Sequence, residues 1–151
     1  MQRRLNEDFL DLLRLFSGGG VKYLLVGGYA LAVHGRPRAT GDMDLWVEPS
    51  AGNAGAVYRA LAGFGAPLQG ITADDLSLPG VVFQIGLSPR RIDVITSIDG
   101  VTFEGAWPNR VAVELDGVTV NVIGRSDLLK NKRSTGRLQD LADVEMLEKQ
   151  G

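Results

Sequence analysis

Residues 21–48, VKYLLVGGYALAVHGRPRATGDMDLWVE, constrain the fold more than any other stretch of the chain. An apolar run from Tyr23 to Val26 has the composition of a short strand and stops at Gly27-Gly28. The next five residues are rich in Ala and Leu and favour one or two helical turns. This order predicts a strand, then a glycine turn, then the start of a helix.

The predicted turn at Gly27-Gly28 has two interpretations. A helix that starts there leaves backbone N–H groups free, and glycines without Cβ atoms let an anion approach them closely, so the turn could bind phosphate. Glycines also end strands for steric reasons alone, in which case no ligand is implied.

Asp42 and Asp44 alternate with apolar residues in the run DMDLWV, which is typical of a strand. The period of two places both carboxylates on one face, where like charges repel unless a cation lies between them. Mg²⁺ is suited to such a pair because it takes carboxylate oxygens together with substrate phosphates. The alternative is an edge strand with a solvated acidic face.

Taken together, these motifs resemble the opening of the nucleotidyltransferase superfamily, which has the polymerase-β-like fold. In that family a Gly-Ser or Gly-Gly turn holds a nucleoside triphosphate and a following Asp-x-Asp strand binds metal ions. The runs GGYALAVHG and R-x-T-x-D-x-D, the latter containing Arg38 and Thr40, are similar to a branch of small bacterial nucleotidyltransferases that includes abortive-infection toxins. Gly28 stands where many active members carry Ser.

Asp93 lies in a second predicted site segment, the run RIDVI. Residues 81–85 and 91–95 favour two strands joined as a hairpin, with Asp93 an isolated carboxylate on an otherwise apolar strand. A buried acid needs a partner, and Arg90 or Arg91 could form an ion pair with it. By the family resemblance, Asp93 instead completes a metal-binding triad with Asp42 and Asp44.

The densest run of positive charge consists of Lys130, Lys132, Arg133 and Arg137. We interpret Lys132 and Arg133 as a solvated helix end. The pattern D-L-L-x-x-K followed by R-x-x-D-x-x-D resembles the closing segment of the same branch, and this resemblance places Lys130 against the triphosphate. It also implies that Asp140 and Asp143 anchor nearby basic side chains.

Three further elements follow from the local sequence. Asp116-Gly117 predicts a tight hairpin between two β-rich runs. Apolar residues at helical spacing predict an amphipathic first helix, ended by three glycines, and a last helix over about residues 137–149. We expect the first helix to bury Leu5, Phe9, Leu12, Leu13 and Phe16. We expect the last helix to bury Leu138, Leu141, Val144 and Leu147.

The composition favours one globular domain over residues 1–151. It predicts an α/β (α+β) architecture with a mixed, mainly antiparallel sheet and packed helices. The net charge is −2 and there is no cysteine, which excludes disulfides and thiolate metal sites. No signal peptide and no membrane-spanning run is evident, so we expect a soluble cytoplasmic protein.

The resemblance implies a Mg²⁺-dependent transfer of a nucleoside monophosphate from a nucleoside triphosphate to a hydroxyl acceptor. Asp42, Asp44 and Asp93 would hold one or two Mg²⁺ ions, while Gly27, Gly28, Arg38, Thr40 and Lys130 would bind the nucleotide. RNA such as tRNA, a protein or a small molecule could be the acceptor. A toxin–antitoxin role with a protein partner is a further expectation, and a noncatalytic nucleotide-binding or protein-interaction module of the same fold is the alternative.

Overall fold

The structure is a computed structural model that describes residues 5–35 and 41–150. Within these ranges it contains a six-stranded mixed sheet in the order β3-β4-β2-β1-β6-β5. The strands are β1 Tyr23–Val26, β2 Met43–Val47, β3 Val82–Ile85, β4 Ile92–Ile95, β5 Val111–Leu115 and β6 Val118–Val122. The helices are α1 Glu7–Gly18, α2 Gly27–Val33, α3 Ala51–Phe64, α4 Ala73–Leu76, α5 Phe103–Ala106, α6 Arg125–Thr135 and α7 Leu138–Gln150.

Both parallel and antiparallel pairings occur in this sheet, as the sequence predicted. The pairs β1–β2, β3–β4 and β5–β6 are antiparallel, whereas β2–β4 and β1–β6 are parallel. The hairpin between β5 and β6 turns at Asp116 (φ 49°) and Gly117 (φ 82°), the left-handed pair that a two-residue type I′ connection requires. Both predicted hairpins are therefore confirmed.

Helix α1 is the predicted amphipathic helix, and its apolar stripe is part of the main core. Phe9, Leu12, Leu13 and Phe16 are buried, and the Phe16 ring lies 5.5 Å from that of Tyr23 on β1. The helix gives way to the glycine run at Gly18, where the backbone N–H of Gly19 donates to the Leu15 carbonyl. The glycine run thus ends the helix, as the sequence predicted.

Helix α7 differs from its prediction on one face. Val144 and Leu147 are buried as expected, but Leu138 is 87% exposed and Leu141 is 42% exposed. The buried face instead includes the acidic residues Asp140 and Asp143. The reason is that α7 turns a polar side toward α6, where a buried lysine compensates the two carboxylates.

None of the helices in residues 5–35 and 41–150 is both long enough and apolar enough to cross a bilayer.

Candidate active site

The site is built around Asp44 and Asp93, which occupy matching positions on neighbouring strands. β2 and β4 pair in parallel with Asp44 opposite Asp93, so the two side chains emerge on the same face of the sheet. Asp93 is buried and Asp44 is half-buried. β4, the strand of Asp93, therefore lies directly beside β2, the strand of Asp44.

Crowding of the carboxylates changes the acidity of Asp44. Burial raises the pKa of Asp44 to about 7, and repulsion from Asp93 adds to the effect, as do a hydrogen bond that protonated Asp44 donates to Asp93 and repulsion from Asp42. The Arg91 guanidinium offsets part of the rise. Near neutral pH, ionisation of Asp44 is therefore unfavourable in this acidic cluster of Asp42, Asp44 and Asp93. An added cation would relieve the repulsion among the carboxylates.

Asp42 directly precedes β2 and is held by residues of the β3–β4 connection. Its carboxylate accepts hydrogen bonds from Ser88 Oγ at 2.7 Å and from the Arg91 backbone N–H at 3.1 Å. Arg91 Nη2 lies 3.5 Å from the same carboxylate. The contact with Arg91 brings Asp42 to the edge of the Asp44–Asp93 pair.

Arg91 forms the ion pair with Asp93 that the sequence left open as an alternative. Its Nε and Nη2 atoms donate to the two Asp93 oxygens at 2.8 and 3.1 Å. The hydrogen bond to Asp93 raises the pKa of Arg91 above its ordinary value. As the side chains stand, no three acidic or histidine residues of the described chain are grouped as ligands for a metal ion. Ser88 and Arg91 occupy oxygens of Asp42 and Asp93 instead.

A cleft of about 240 Å³ opens beside Asp44. Its lining includes the turn residues Gly27 and Gly28 together with a group of polar residues from α6, α7 and the connection between them. These polar residues are Lys132, Arg137, Gln139 and Asp140. The cleft therefore joins the glycine turn, one carboxylate of the pair and two cationic side chains.

Gly27 is required at its position for two reasons. Its φ is +69°, in the left-handed region that side chains disfavour, and a Cβ at this position would overlap the Asp44 carboxylate. The N-cap of α2, Val26, offers no side-chain hydrogen bond to the first turn. The glycine thus fixes the backbone of the turn directly against the acidic strand.

Lys132 is the cation that the sequence analysis placed wrongly. It is buried, with Nζ 3.0 Å from Asp140 and 3.3 Å from Asp143, so its predicted role as part of a solvated helix end is incorrect. Lys130, which was expected near the phosphates, is exposed and is not part of the cleft lining. Two residues along a helix turn a side chain by about 200°, so the two lysines face opposite ways.

Asp140 and Asp143 anchor basic side chains, as the sequence predicted. Asp140 accepts from Lys132 Nζ, from Thr135 Oγ1 at 2.7 Å and from Arg137 Nε at 2.7 Å. Burial alone would raise the pKa of Asp140, but these hydrogen bonds outweigh it and hold the pKa below its ordinary value. Asp140 therefore remains ionised and fixes two cations at the cleft.

Arg38 and Thr40, two of the predicted nucleotide ligands, lie outside the described residues. His34 is the C-cap residue of α2. It is partly buried, and its Nε2 donates to the Ile123 carbonyl at 2.7 Å, which ties the end of α2 to the end of β6. This contact gives His34 a structural role.

Solved structures with the same fold were found across nearly the whole chain. A Thermotoga maritima protein classed provisionally as a nucleotidyltransferase matches with a TM-score of 0.60 and 13% identity, covering 93% of this chain and 88% of that protein. The lincosamide antibiotic adenylyltransferase LnuA with bound lincomycin matches with a TM-score of 0.59 and 14% identity, covering 97% of this chain and 98% of LnuA. An antigenic nucleotidyltransferase-like protein from Paracoccidioides brasiliensis matches with a TM-score of 0.54 and 16% identity, covering 96% of this chain and 78% of that protein.

Sequence comparison gives a different and shorter match. The recombination protein RecR of Rhizobium leguminosarum bv. trifolii is 30% identical over 79 residues, which cover 52% of this chain and 39% of RecR. RecR of Rhizobium etli gives the same figures, so the chain spans about two fifths of the length of these relatives. No family model matches the chain. The matches that cover the chain end to end are structural, and they show that it has a nucleotidyltransferase-like fold.

Proposed function

We propose that the protein is a Mg²⁺-dependent nucleotidyltransferase, acting as a single domain over residues 1–151. In the reaction, an acceptor hydroxyl attacks the α-phosphorus of a nucleoside triphosphate, the nucleoside monophosphate is transferred and pyrophosphate leaves. The observation that carries the proposal is the register of Asp44 with Asp93 beside the Gly27-Gly28 turn. The shared fold with nucleotidyltransferases supports it.

The acidic cluster fits Mg²⁺ in its chemistry. Its donors are carboxylate oxygens, which this hard ion prefers. Burial is the main cause of the raised pKa of Asp44, and the repulsion from Asp93 and Asp42 that adds to it is what a divalent cation would relieve. Asp42, Asp44 and Asp93 are the proposed ligands. When bound, Mg²⁺ supplies positive charge that stabilises the leaving pyrophosphate and lowers the pKa of the attacking hydroxyl.

The chain's own residues would bind and orient the triphosphate in the cleft. Gly27 and Gly28 line the cleft, so phosphate oxygens there would meet the backbone of the turn. Lys132 and Arg137 line the same cleft and would neutralise charge on the phosphates, so we propose them in place of Lys130. Arg38 and Thr40 remain proposed ligands by their motif.

The test is transfer of label from each nucleoside triphosphate in the presence of Mg²⁺ and a cell extract. Label at the α-phosphate should pass to an acceptor and label at the γ-phosphate should not, because pyrophosphate leaves. Asp93→Asn should abolish the transfer. Asp74→Asn is the matched control, since Asp74 is exposed on α4, outside the cleft lining. Transfer of the γ-label alone would identify a kinase and contradict the proposal.

The second candidate is a noncatalytic module of the same fold. Gly28 favours it, because this position carries no hydroxyl for a phosphate contact. Nucleotide binding without transfer of any label would support this candidate. RNA, protein or a small molecule as acceptor, a cytoplasmic location and a toxin–antitoxin role with a protein partner are further parts of the proposal, and the identity of the labelled acceptor tests the first of them.

A further inference from the structure

Arg91 engages more of the acidic cluster than a simple ion pair requires. Its fork takes both oxygens of Asp93, its Nη2 lies 3.5 Å from Asp42 Oδ2, and its backbone N–H donates to Asp42 Oδ1. One residue thus contacts two of the three carboxylates that the proposed function assigns to Mg²⁺. The Arg91 side chain is only 31% exposed, so solvent screens these contacts incompletely.

The connection between β3 and β4 holds Arg91 and Asp42 in this arrangement. Ser88 Oγ donates to Asp42 Oδ2 at 2.7 Å. A Cβ on Gly41 would come within 2.7 Å of the Pro89 carbonyl oxygen, so the connection is packed tightly against the residue before Asp42. Asp42 is therefore held beside Arg91 both by a hydrogen bond from the Arg91 backbone N–H and by the charge of the guanidinium.

We propose that the Arg91 guanidinium is a built-in counter-ion that occupies the acidic cluster in the metal-free protein and that a divalent cation displaces. The inference rests on the proposed function, because it presupposes a metal site at Asp42, Asp44 and Asp93. In this role Arg91 is a positioning residue. It keeps the carboxylates together without metal and lowers the affinity of the site for metal, because the ion must first break the charge-assisted bonds of the guanidinium.

Mn²⁺ serves as the probe, with free ion measured by electron paramagnetic resonance and melting temperature recorded in parallel. Arg91→Gln should tighten Mn²⁺ binding by roughly tenfold or more, because the ion no longer has to displace a charge-assisted hydrogen bond. The free energy of one such bond corresponds to a change in affinity of about this size. Its metal-free melting temperature should fall, because three carboxylates then face one another, and saturating Mn²⁺ should restore it.

Arg90→Gln is the matched control. It removes the same charge one residue away, where the side chain is exposed, so it should change Mn²⁺ affinity less than about threefold. Adding Asp44→Asn to Arg91→Gln should remove the gain and thereby place the ion at the cluster. If Arg91→Gln does not fold, Arg91→Lys keeps the charge but loses the fork, and it should tighten binding by a smaller factor.

Three results would overturn parts of this scheme in distinguishable ways. Weaker Mn²⁺ binding by Arg91→Gln would show that the arginine helps to form the metal site. Equal affinities for wild type, Arg91→Gln and Arg90→Gln would remove the counter-ion role and leave the proposed function intact. Failure of every one of these proteins to bind Mn²⁺ or Mg²⁺ at millimolar concentration would remove the metal site, and the proposed function with it.

Discussion

Gly27 is the residue at which backbone geometry and the acidic site meet. Its φ of +69° and its contact with the Asp44 carboxylate leave no room for a side chain. We expect Gly27→Ala to displace Asp44, to cost about 1 to 3 kcal/mol of unfolding free energy and to abolish transferase activity. Urea unfolding and the label-transfer assay measure the two effects.

Gly70→Ala is the control for Gly27→Ala. Gly70 has open space around its Cβ position and no positive φ. A Gly27→Ala variant with wild-type stability and activity would contradict the assigned geometry of the turn.

Asp44 should make the stability of the protein depend on pH. Burial and the neighbouring carboxylates raise its pKa from 3.8 to about 7, so between these values the folded state holds a proton that the unfolded state has released. Its contribution to stability is therefore full below about pH 4 and is lost as the pH rises through 7. Asp44→Asn cannot ionise, so it should gain stability relative to wild type over this window, by on the order of 2 to 4 kcal/mol at pH 8.

The Asp44 prediction is checked by urea unfolding of metal-free wild type and Asp44→Asn at pH 5 and pH 8. A stability difference that is the same at both values would show that Asp44 ionises normally.

At the scale of elements, α6 and α7 are joined by the buried ion cluster of Lys132, Asp140 and Asp143. Lys132→Met would leave two carboxylates in a largely dry site, and we expect a loss of about 3 to 5 kcal/mol. Lys130→Met is the matched control, because this exposed lysine should change stability by no more than about 0.5 kcal/mol.

A compensated variant separates the structural role of Lys132 from its proposed role in binding phosphate. Lys132→Met combined with Asp140→Asn and Asp143→Asn should regain stability but still bind triphosphate weakly in equilibrium dialysis. Equal loss of triphosphate affinity in Lys130→Met would return Lys130 to the site.

Elements fixed by local chemistry were predictable from the sequence. The β5–β6 hairpin follows from Asp116-Gly117, and the capping box of α4 follows from Thr72 and Asp75, because a few adjacent residues determine each. The orientation of Lys132 was not predictable, because it depends on α7 returning to place Asp140 and Asp143 opposite it. The exposure of Leu138 has the same origin, since those acids occupy the buried face of the helix.

Asp93 shows where residue patterns alone were insufficient. The sequence allowed either an ion pair with a neighbouring arginine or a place in the acidic site, and the structure places Asp93 against both Arg91 and Asp44. The parallel pairing of β2 with β4 joins distant segments, so only the family resemblance could suggest it.

The whole molecule should be stabilised by its ligands if the carboxylates hold Mg²⁺ with nucleotide. Ligand at a hundred times its dissociation constant adds about 2.7 kcal/mol, which for a domain of this size raises the melting temperature by roughly 5 to 10 °C. Differential scanning fluorimetry with Mg²⁺ and each nucleoside triphosphate measures the shift. Asp93→Asn should lose it, and Asp74→Asn should keep it.

The sheet position of Asp93 links folding to chemistry. β4 and its partner β3 form a hairpin at one border of the sheet, whereas Asp44 lies on the central strand β2 and Gly27 directly follows the central strand β1. A newly synthesised or heat-damaged chain whose hairpin has not docked lacks Asp93 and Arg91 at the site, even if the central strands are formed. Under the proposed function such a partly folded chain is inactive and does not modify an acceptor.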